Sequence, residues 1–482
     1  MPFTSLDFAI FFGFVLVLNW RLRARGGTYP TFLLIASLVF YFLGAPKFLP
    51  LLVVVATANY AAVRLMADPS LAYHRKLILV CDIAFCLTLL GFFKYFEFFL
   101  TTLESIGITG PLESLFRLPQ IVYPVGLSFF TFQGLSLAID SYRDPNKPPP
   151  SYRDTLLFVS FFPTVLSGPI QRAEPFFAQL RTRQETDLNL AIVLIITGLF
   201  KKVALSSYLS EQIVRGVFQV PEGYSALGTL AGIYGYSAQI YLDFSGYSDM
   251  AQGVAMLLGF DVGQNFNSPY LVTNIRDFWR RWHISLSNWL KDYLYIPLGG
   301  SRRGSKFLNV IITQTLGGLW HGAHLRYLVW GLGHGLAVAF THVVFDARLR
   351  RERAWKAIGF KRWQLPEPKY EGLKKWGGFL FTINFVSFMW ILFRADTFEQ
   401  ALNVAKAAFD LTKPGQGAPI MVWVIVFLTF FGQWVGDGFQ KAMIIIQERL
   451  SIPGLSLWCA FWVIMIIKIG PDGVLPFIYF QY

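Results

Sequence analysis

Charged side chains are scarce in this 482-residue chain, at 15% of its length, against roughly 25% in an ordinary globular protein. Cysteine is scarcer still. Cys81, Cys86 and Cys459 all lie in apolar runs, which excludes a disulfide scaffold and reads as reduced packing residues. Polar, low-hydrophobicity stretches are short, so disorder is excluded, and no period of roughly 20 to 50 residues suggests a repeat array. What abounds is apolar surface: 54% hydrophobic residues, 48 of them Phe. A soluble chain of this size has too few polar groups to cover that much hydrocarbon. The composition predicts an all-α polytopic membrane protein.

Lysine and arginine outnumber aspartate and glutamate by 42 to 29, a formal charge of +13. The excess sits mainly between the apolar runs, where the positive-inside rule and anionic lipid headgroups both favour it. Membrane lipids, and not nucleic acid, are therefore the expected basic-face partner. The first apolar stretch has no Lys or Arg before it and RLRAR, Arg21 to Arg25, after it. That order is the reverse of a cleavable signal and predicts a retained first helix that starts outside the cell and ends in the cytosol.

Apolar blocks of membrane-spanning length recur from residue 3 to residue 469, about a dozen in all. Two Gly/Pro-containing pieces, Phe161 to Pro169 and Tyr295 to Gly300, predict broken or re-entrant backbone. Such backbone survives at membrane depth only inside protein or beside a water-filled chamber. The stretch 346–376 carries ten basic and four acidic residues and reads as a cytosolic loop held against lipid. The whole chain, 1–482, reads as one membrane-embedded domain.

Between Arg276 and Lys306 seven basic and two acidic residues are interleaved with Trp279, Trp282 and Trp289. Charges of this density must face water, protein or ligand. One reading is an amphipathic segment at the cytosolic interface. The other is a docking surface for a phosphorylated donor, in which Arg280, Arg281 and Trp282 are the donor-binding candidates.

Four of the six histidines, His283, His321, His324 and His334, fall within 52 residues. Glycines flank His321 at Gly317, Gly318 and Gly322, leaving room beside an imidazole. Each is open to a structural reading as a hydrogen-bonded helix residue. As a neutral ring titrating near 6.5, His321 is suited to take a proton from an attacking hydroxyl. His321 and His324 have the spacing of one helical face, but no cysteine is near and Asp277 and Asp292 belong to the earlier segment, so no metal is assigned. Asp243 and Asp249 interrupt an apolar helix and read either as functional carboxylates or as structural partners of Arg280 or Arg281.

Taken together, PVGLSFFTFQ (124–133), FFPTVLSGPIQR (161–172), YLDFSGYSDMA (241–251), NFNSPY (265–270), DFWRRWHISLSNWLKDYLYIPLGG (277–300), GGLWHGA (317–323), WGLGHG (330–335) and the terminal FIYFQY resemble the membrane-bound O-acyltransferase family, in its bacterial polysaccharide-acetylating branch. The likeness is densest over 120–335. It implies about eleven spanning helices plus re-entrant and interfacial helices around a central funnel, with His321 as the catalytic histidine and His283 at a second polar position that is often Asn in eukaryotic members. It also implies an acetyl donor, acetyl-coenzyme A, used as a substrate with no tightly bound cofactor. The acceptor would be an extracytoplasmic polysaccharide such as alginate, reached through periplasmic partner proteins from the bacterial inner membrane. His283, or backbone N–H groups near Gly317 and Gly318, would support the oxyanion. The terminal pattern, shared with a D-alanylation system, implies Tyr479 as an acyl carrier; its plainer reading is an interfacial anchor. Transfer to peptidoglycan, cellulose or lipid is the alternative within the class, and a transporter or flippase the alternative outside it.

Overall fold

The computed structural model describes residues 1–22, 27–105, 122–182, 186–357, 371–412 and 414–470. Those residues are helical apart from turns and one isolated bridge between Tyr224 and Gln416. They fall into two compact units.

The first unit comprises 1–199 and 247–264. Its helices are α1 (Leu6–Leu22), α2 (Tyr29–Gly44), α3 (Leu49–Ala67), α4 (Arg75–Ser105), α5 (Leu127–Arg143), α6 (Tyr152–Ser160), α7 (Ala173–Arg181) and α8 (Leu188–Leu199). Phe161 to Pro169 is the non-helical piece expected from its composition, and every residue of it is buried. Its backbone finds partners inside the unit: the Phe162 N–H donates to Ser37 Oγ at 3.2 Å, and Gln171 donates to the Pro169 carbonyl at 3.2 Å. Irregular backbone is tolerated here because protein, not lipid, surrounds it.

The second unit comprises 200–246 and the described part of 265–478. Beyond α8 the chain continues to Gln219 as an irregular helix with π-helical turns at Phe200–Ser206 and Ser210–Val214. Next comes α9 (Ala226–Leu257), which passes back into the first unit. Two short helices follow, α10 (Ile275–Arg281) and α11 (Ile284–Leu290), then a hairpin of α12 (Lys306–His321) and α13 (Leu325–Ala357). The last five are α14 (Glu371–Arg394), α15 (Phe398–Ala407), α16 (Ile420–Phe431), α17 (Gly436–Glu448) and α18 (Ile452–Ile469). The break expected over 295–300 is present, with a π-turn at Lys291–Tyr295 leading into Gly299 and Gly300 at φ +117° and +57°.

Among the described residues six helices are long and apolar enough to cross a bilayer alone: Pro46–Ala67, Pro69–Phe96, Leu188–Gln219, Leu325–Ala347, Gly372–Arg394 and Ile452–Ile469. The bent pair Ile420–Trp434 and Gly438–Glu448 would make a seventh. The chain is therefore a multi-pass helical membrane protein. Other apolar blocks form helices of 16 or 17 residues, such as α1, α2, α5 and α12. At 1.5 Å per residue these reach about 25 Å, short of the roughly 30 Å hydrocarbon layer.

The stretch read as a loop over 346–376 is helical at both ends, since α13 runs to Ala357 and α14 begins at Glu371. Its Arg, Ala, Glu and Lys residues are strong helix formers. Residues 358–370 lie outside the described part.

Candidate active site

Asn274 starts α10: its side-chain oxygen accepts the Asp277 N–H at 2.9 Å, and its amide donates to Asp277 Oδ2 at 2.8 Å. The first turn is thus closed by its own side chains. One turn apart on this helix, Arg276 and Arg280 share a face. Arg280 is exposed and pairs with Asp277 at 3.3 Å.

After α10 the chain reverses at His283, whose φ of +44° is left-handed, a conformation uncommon outside glycine and asparagine. Asn265 holds it there. Its Oδ1 lies 3.2 Å from His283 Nδ1 and also accepts the Ser285 N–H at 3.2 Å and the Ser285 hydroxyl at 3.0 Å. An atom that accepts a backbone N–H is the amide oxygen, so the imidazole donates through Nδ1–H and Nε2 carries the lone pair. Nε2 has no hydrogen-bond partner among the described residues. Burial pushes the His283 pKa down to about 3, so the ring is neutral.

His321 is the last residue of α12 and is buried. Its ring makes edge-to-face contacts with Trp320, Phe393 and Trp330, at centroid distances of 4.9, 5.1 and 5.3 Å. Trp320 is also 6.3 Å from His283, so the fold gathers both sequence-predicted histidines around one indole. A third histidine joins the same aromatic group. His334 is fully buried, accepts the Trp279 indole N–H at Nδ1 (3.2 Å), and lies 4.7 Å from the Trp330 ring.

α12 and α13 run antiparallel. Lys306 pairs with Asp346 at one end, and at the other Gly318 meets Gly331 so closely that a Cβ on Gly318 would fall 2.8 Å from the Gly331 Cα. A cavity of about 320 Å³ lies along this hairpin and against α10 and α11. His321, Gly317, Trp279 and Trp330 line it at one end; Val310, Val338 and His342 line it further along. His321 and Val310 are separated by about 16 Å of helix at 1.5 Å per residue. Arg276, Arg280 and Lys291 also line the cavity. The Arg276 guanidinium lies 5.0 Å over the Phe345 ring, which puts it at the His342 end. The cavity thus has histidine and aromatic rings at its His321 end and the Arg276 guanidinium at its His342 end, the cationic end.

Of the three donor-binding candidates, Arg280 lines this cavity. Arg281 and Trp282 are not among its lining residues. Trp282 is fully buried and stacked 5.5 Å from Phe278. Arg276 and His342 were not among the candidates that the sequence pointed to. The four-residue spacing of Arg276 and Arg280 was the available signal for the first; an isolated histidine on an apolar helix gave little for the second.

Several other expectations change. Gly317 and Gly318 lie inside α12, where backbone N–H groups donate to the carbonyls four residues back and cannot reach an oxyanion. His324 is exposed in the turn after α12 and shares no helix face with His321. Asp243 pairs not with Arg280 or Arg281 but with Lys202, in a buried ion pair; Asp249 belongs to the first unit. Tyr479 lies outside the described residues.

Comparison with known proteins supplies the chemistry that this geometry frames. The membrane-bound O-acyltransferase family model matches residues 142–360. The probable alginate O-acetylase AlgI of Pseudomonas putida is 32% identical over 93% of this chain and 94% of its own length. The peptidoglycan O-acetyltransferase of Helicobacter pylori is 34% identical over 79% of this chain and 73% of its own length. The teichoic acid D-alanyltransferase of Bacillus subtilis is 30% identical over 50% of this chain and 63% of its own length. These relationships set aside the transporter alternative. The chain belongs to the membrane-bound O-acyltransferase family and is a membrane-bound O-acyltransferase.

Proposed function

We propose that the protein takes acetyl from cytosolic acetyl-coenzyme A and passes it across the bacterial inner membrane for O-acetylation of an extracytoplasmic polysaccharide, alginate or a similar exopolysaccharide. The observation that carries this reading is the polarity of the cavity. A pantetheine arm has a dozen or so bonds of about 1.5 Å and extends to roughly 16 Å, which matches the helix length between the His321 end and the cationic end. Phosphate oxygens suit Arg276, Arg280, Lys291 and His342. The thioester then falls among the aromatic rings beside His321.

In the reaction, His321 removes the proton of an attacking hydroxyl, the oxygen adds to the thioester carbonyl, and collapse of the tetrahedral species expels the thiolate. The proton on His321 passes to that thiolate, giving coenzyme A and the acetyl ester. The hydroxyl belongs either to the acceptor or to Tyr479, which would carry the acetyl group to a periplasmic partner protein. The basic residues after the first helix, Arg21 to Arg25, support a cytosolic position for that end.

Peptidoglycan is a second reading, favoured by the 34% identity to a peptidoglycan O-acetyltransferase. Deleting the gene and measuring ester-linked acetate separately on exopolysaccharide and on peptidoglycan tests both. Loss from exopolysaccharide alone supports the first reading, loss from peptidoglycan alone the second, and loss from neither overturns both.

A further inference from the structure

The first unit holds a carboxylate that the acyl-transfer reaction does not use. Asp82 stands thirteen and fourteen residues from the ends of the apolar helix Pro69–Phe96, at the middle of a membrane span. It is 6% exposed, while Leu77, Val80 and Leu87 on the same helix are exposed outward. Neither carboxylate oxygen has a hydrogen-bond partner among the described residues, and none of the described ion pairs includes it.

Its surroundings come from three helices. α4 and α5 are antiparallel: Arg75 donates to the Ser141 and Tyr142 carbonyls at 3.2 Å each, and the Lys94 ammonium lies 5.5 Å from the Tyr123 ring just before α5. Asp82 is about 10 Å along α4 from Arg75, which brings it level with Gly134. At that level α3 meets α5, since a Cβ on Gly134 would fall 2.5 Å from Asn59 Oδ1. The Asn59 amide donates to the Val55 carbonyl at 2.7 Å and to Cys86 Sγ at 3.5 Å, and Cys86 is one turn beyond Asp82 on the same face. Asn59 Oδ1 also has no partner among the described residues. The cluster thus holds more acceptors than donors.

The charged groups on the packed helices lie away from this level. Among the described side chains of α4 they are Arg75, Lys76, which is exposed, and Lys94, about 10, 9 and 18 Å along the helix. On α3 Arg64 is exposed. On α5 Asp140 and Arg143 pair with each other at the Arg75 end, and on α6 Arg153 pairs with Asp154.

An unpaired ionised carboxylate at this depth is strongly disfavoured against the neutral acid, and a proton supplies the donor that the cluster lacks. We propose that Asp82 is an intramembrane proton-binding site, occupied in the folded protein at neutral pH, whose proton is held beside Asn59 and Cys86 where α3 and α4 meet at the level of Gly134 on α5. This site stands independently of the acyl-transfer reading.

The test compares the purified full-length protein with Asp82→Asn, which is neutral and of the same shape. A carboxyl that is protonated in the folded chain and ionised in the unfolded one loses its contribution as pH rises. The two proteins should melt alike at about pH 4, where the unfolded chain also holds the proton, and the wild type should fall progressively below Asp82→Asn as the pH rises from about 4 through neutrality. Dicyclohexylcarbodiimide, an apolar reagent that adds to the protonated carboxyl, should leave an N-acylurea on Asp82 that decreases with rising pH. Asp82→Asn melting well below wild type at neutral pH, or melting curves that stay parallel across pH, would overturn the site. So would protection from the carbodiimide by Na⁺ at fixed pH, which would assign a metal cation instead.

Discussion

His321 and Trp330 meet edge to face across the turn between α12 and α13, with ring centroids 5.3 Å apart, and both line the same cavity. The imidazole is thereby held by rings on three sides while its helix ends beneath it. A positioned general base contributes about 10² to 10⁴ in rate. His321→Ala should reduce acetyl transfer by at least that range's lower bound, with membrane insertion and melting temperature near wild type. Acetyl released from labelled acetyl-coenzyme A to acceptor measures it, and near-normal turnover would remove His321 from the reaction.

His283 offers a different kind of test, because its backbone is left-handed and its ring neutral. Asparagine tolerates positive φ better than most residues and keeps polar atoms in place. His283→Asn should therefore retain more activity and stability than His283→Ala, which meets the same backbone strain with no polar group. An Ala variant that equals or surpasses Asn would show that neither the polar atoms nor the turn conformation matters.

Donor recognition predicts a difference between neighbours on one helix. Arg276 and Arg280 line the cavity, and Arg281 is not among its lining residues. Hydrogen bonds to charged groups contribute about 1.5 to 3 kcal/mol each, so Arg276→Gln should raise the KM for acetyl-coenzyme A by roughly tenfold or more. The wild-type KM should rise with salt more steeply than that of Arg276→Gln/Arg280→Gln. Arg281→Gln should leave KM within about twofold of wild type, since it lacks that contact. Equal effects from all three substitutions would point to a general loss of the short helices.

The membrane class and its broken segments were legible because hydrophobic runs, glycine and proline act locally. His283 and His321 were legible as candidates, but not their shared neighbour Trp320, because that meeting depends on the α12–α13 hairpin. Six of the apolar blocks form long apolar helices among the described residues, whereas α9 mixes Asp243 and Asp249 with apolar residues, and α12 stops at His321 after 16 residues. The partner of Asp243 was misassigned because the sequence offers no signal that the irregular helix after α8 turns Lys202 toward it. Arg276 was hidden among seven basic residues of which only a subset faces the cavity.

Tyr479 can be tested without knowing its surroundings. If the acetyl group passes through its hydroxyl, Tyr479→Phe keeps the ring and stops polymer acetylation as fully as His321→Ala does. Donor affinity should be unchanged. Hydroxylamine-labile acetate recovered on a C-terminal peptide of the wild type, and absent from Tyr479→Phe, would report the carrier directly. Normal polymer acetylation by Tyr479→Phe would leave the terminal aromatic residues the role of interfacial anchors.

Lys202 and Asp243 form an ion pair whose side chains are 5% and 7% exposed, the lysine lying in a π-helical turn and the aspartate in α9. Two opposite charges removed from water together are tolerable; one alone is not. Loss of one partner from such a pair costs about 3 to 5 kcal/mol, whereas replacing both with apolar groups of similar volume is often neutral. Lys202→Met and Asp243→Leu should each lower the melting temperature sharply, and the double variant should recover most of the loss. A second readout separates packing from chemistry, because π-turns often occur at functional sites. If the pair only joins the helices, the double variant regains acetyl transfer along with stability. If the double variant melts like wild type but transfers acetyl poorly, the charges themselves serve the reaction. Additive losses in the two single variants would instead mean that the pair is not coupled in the membrane.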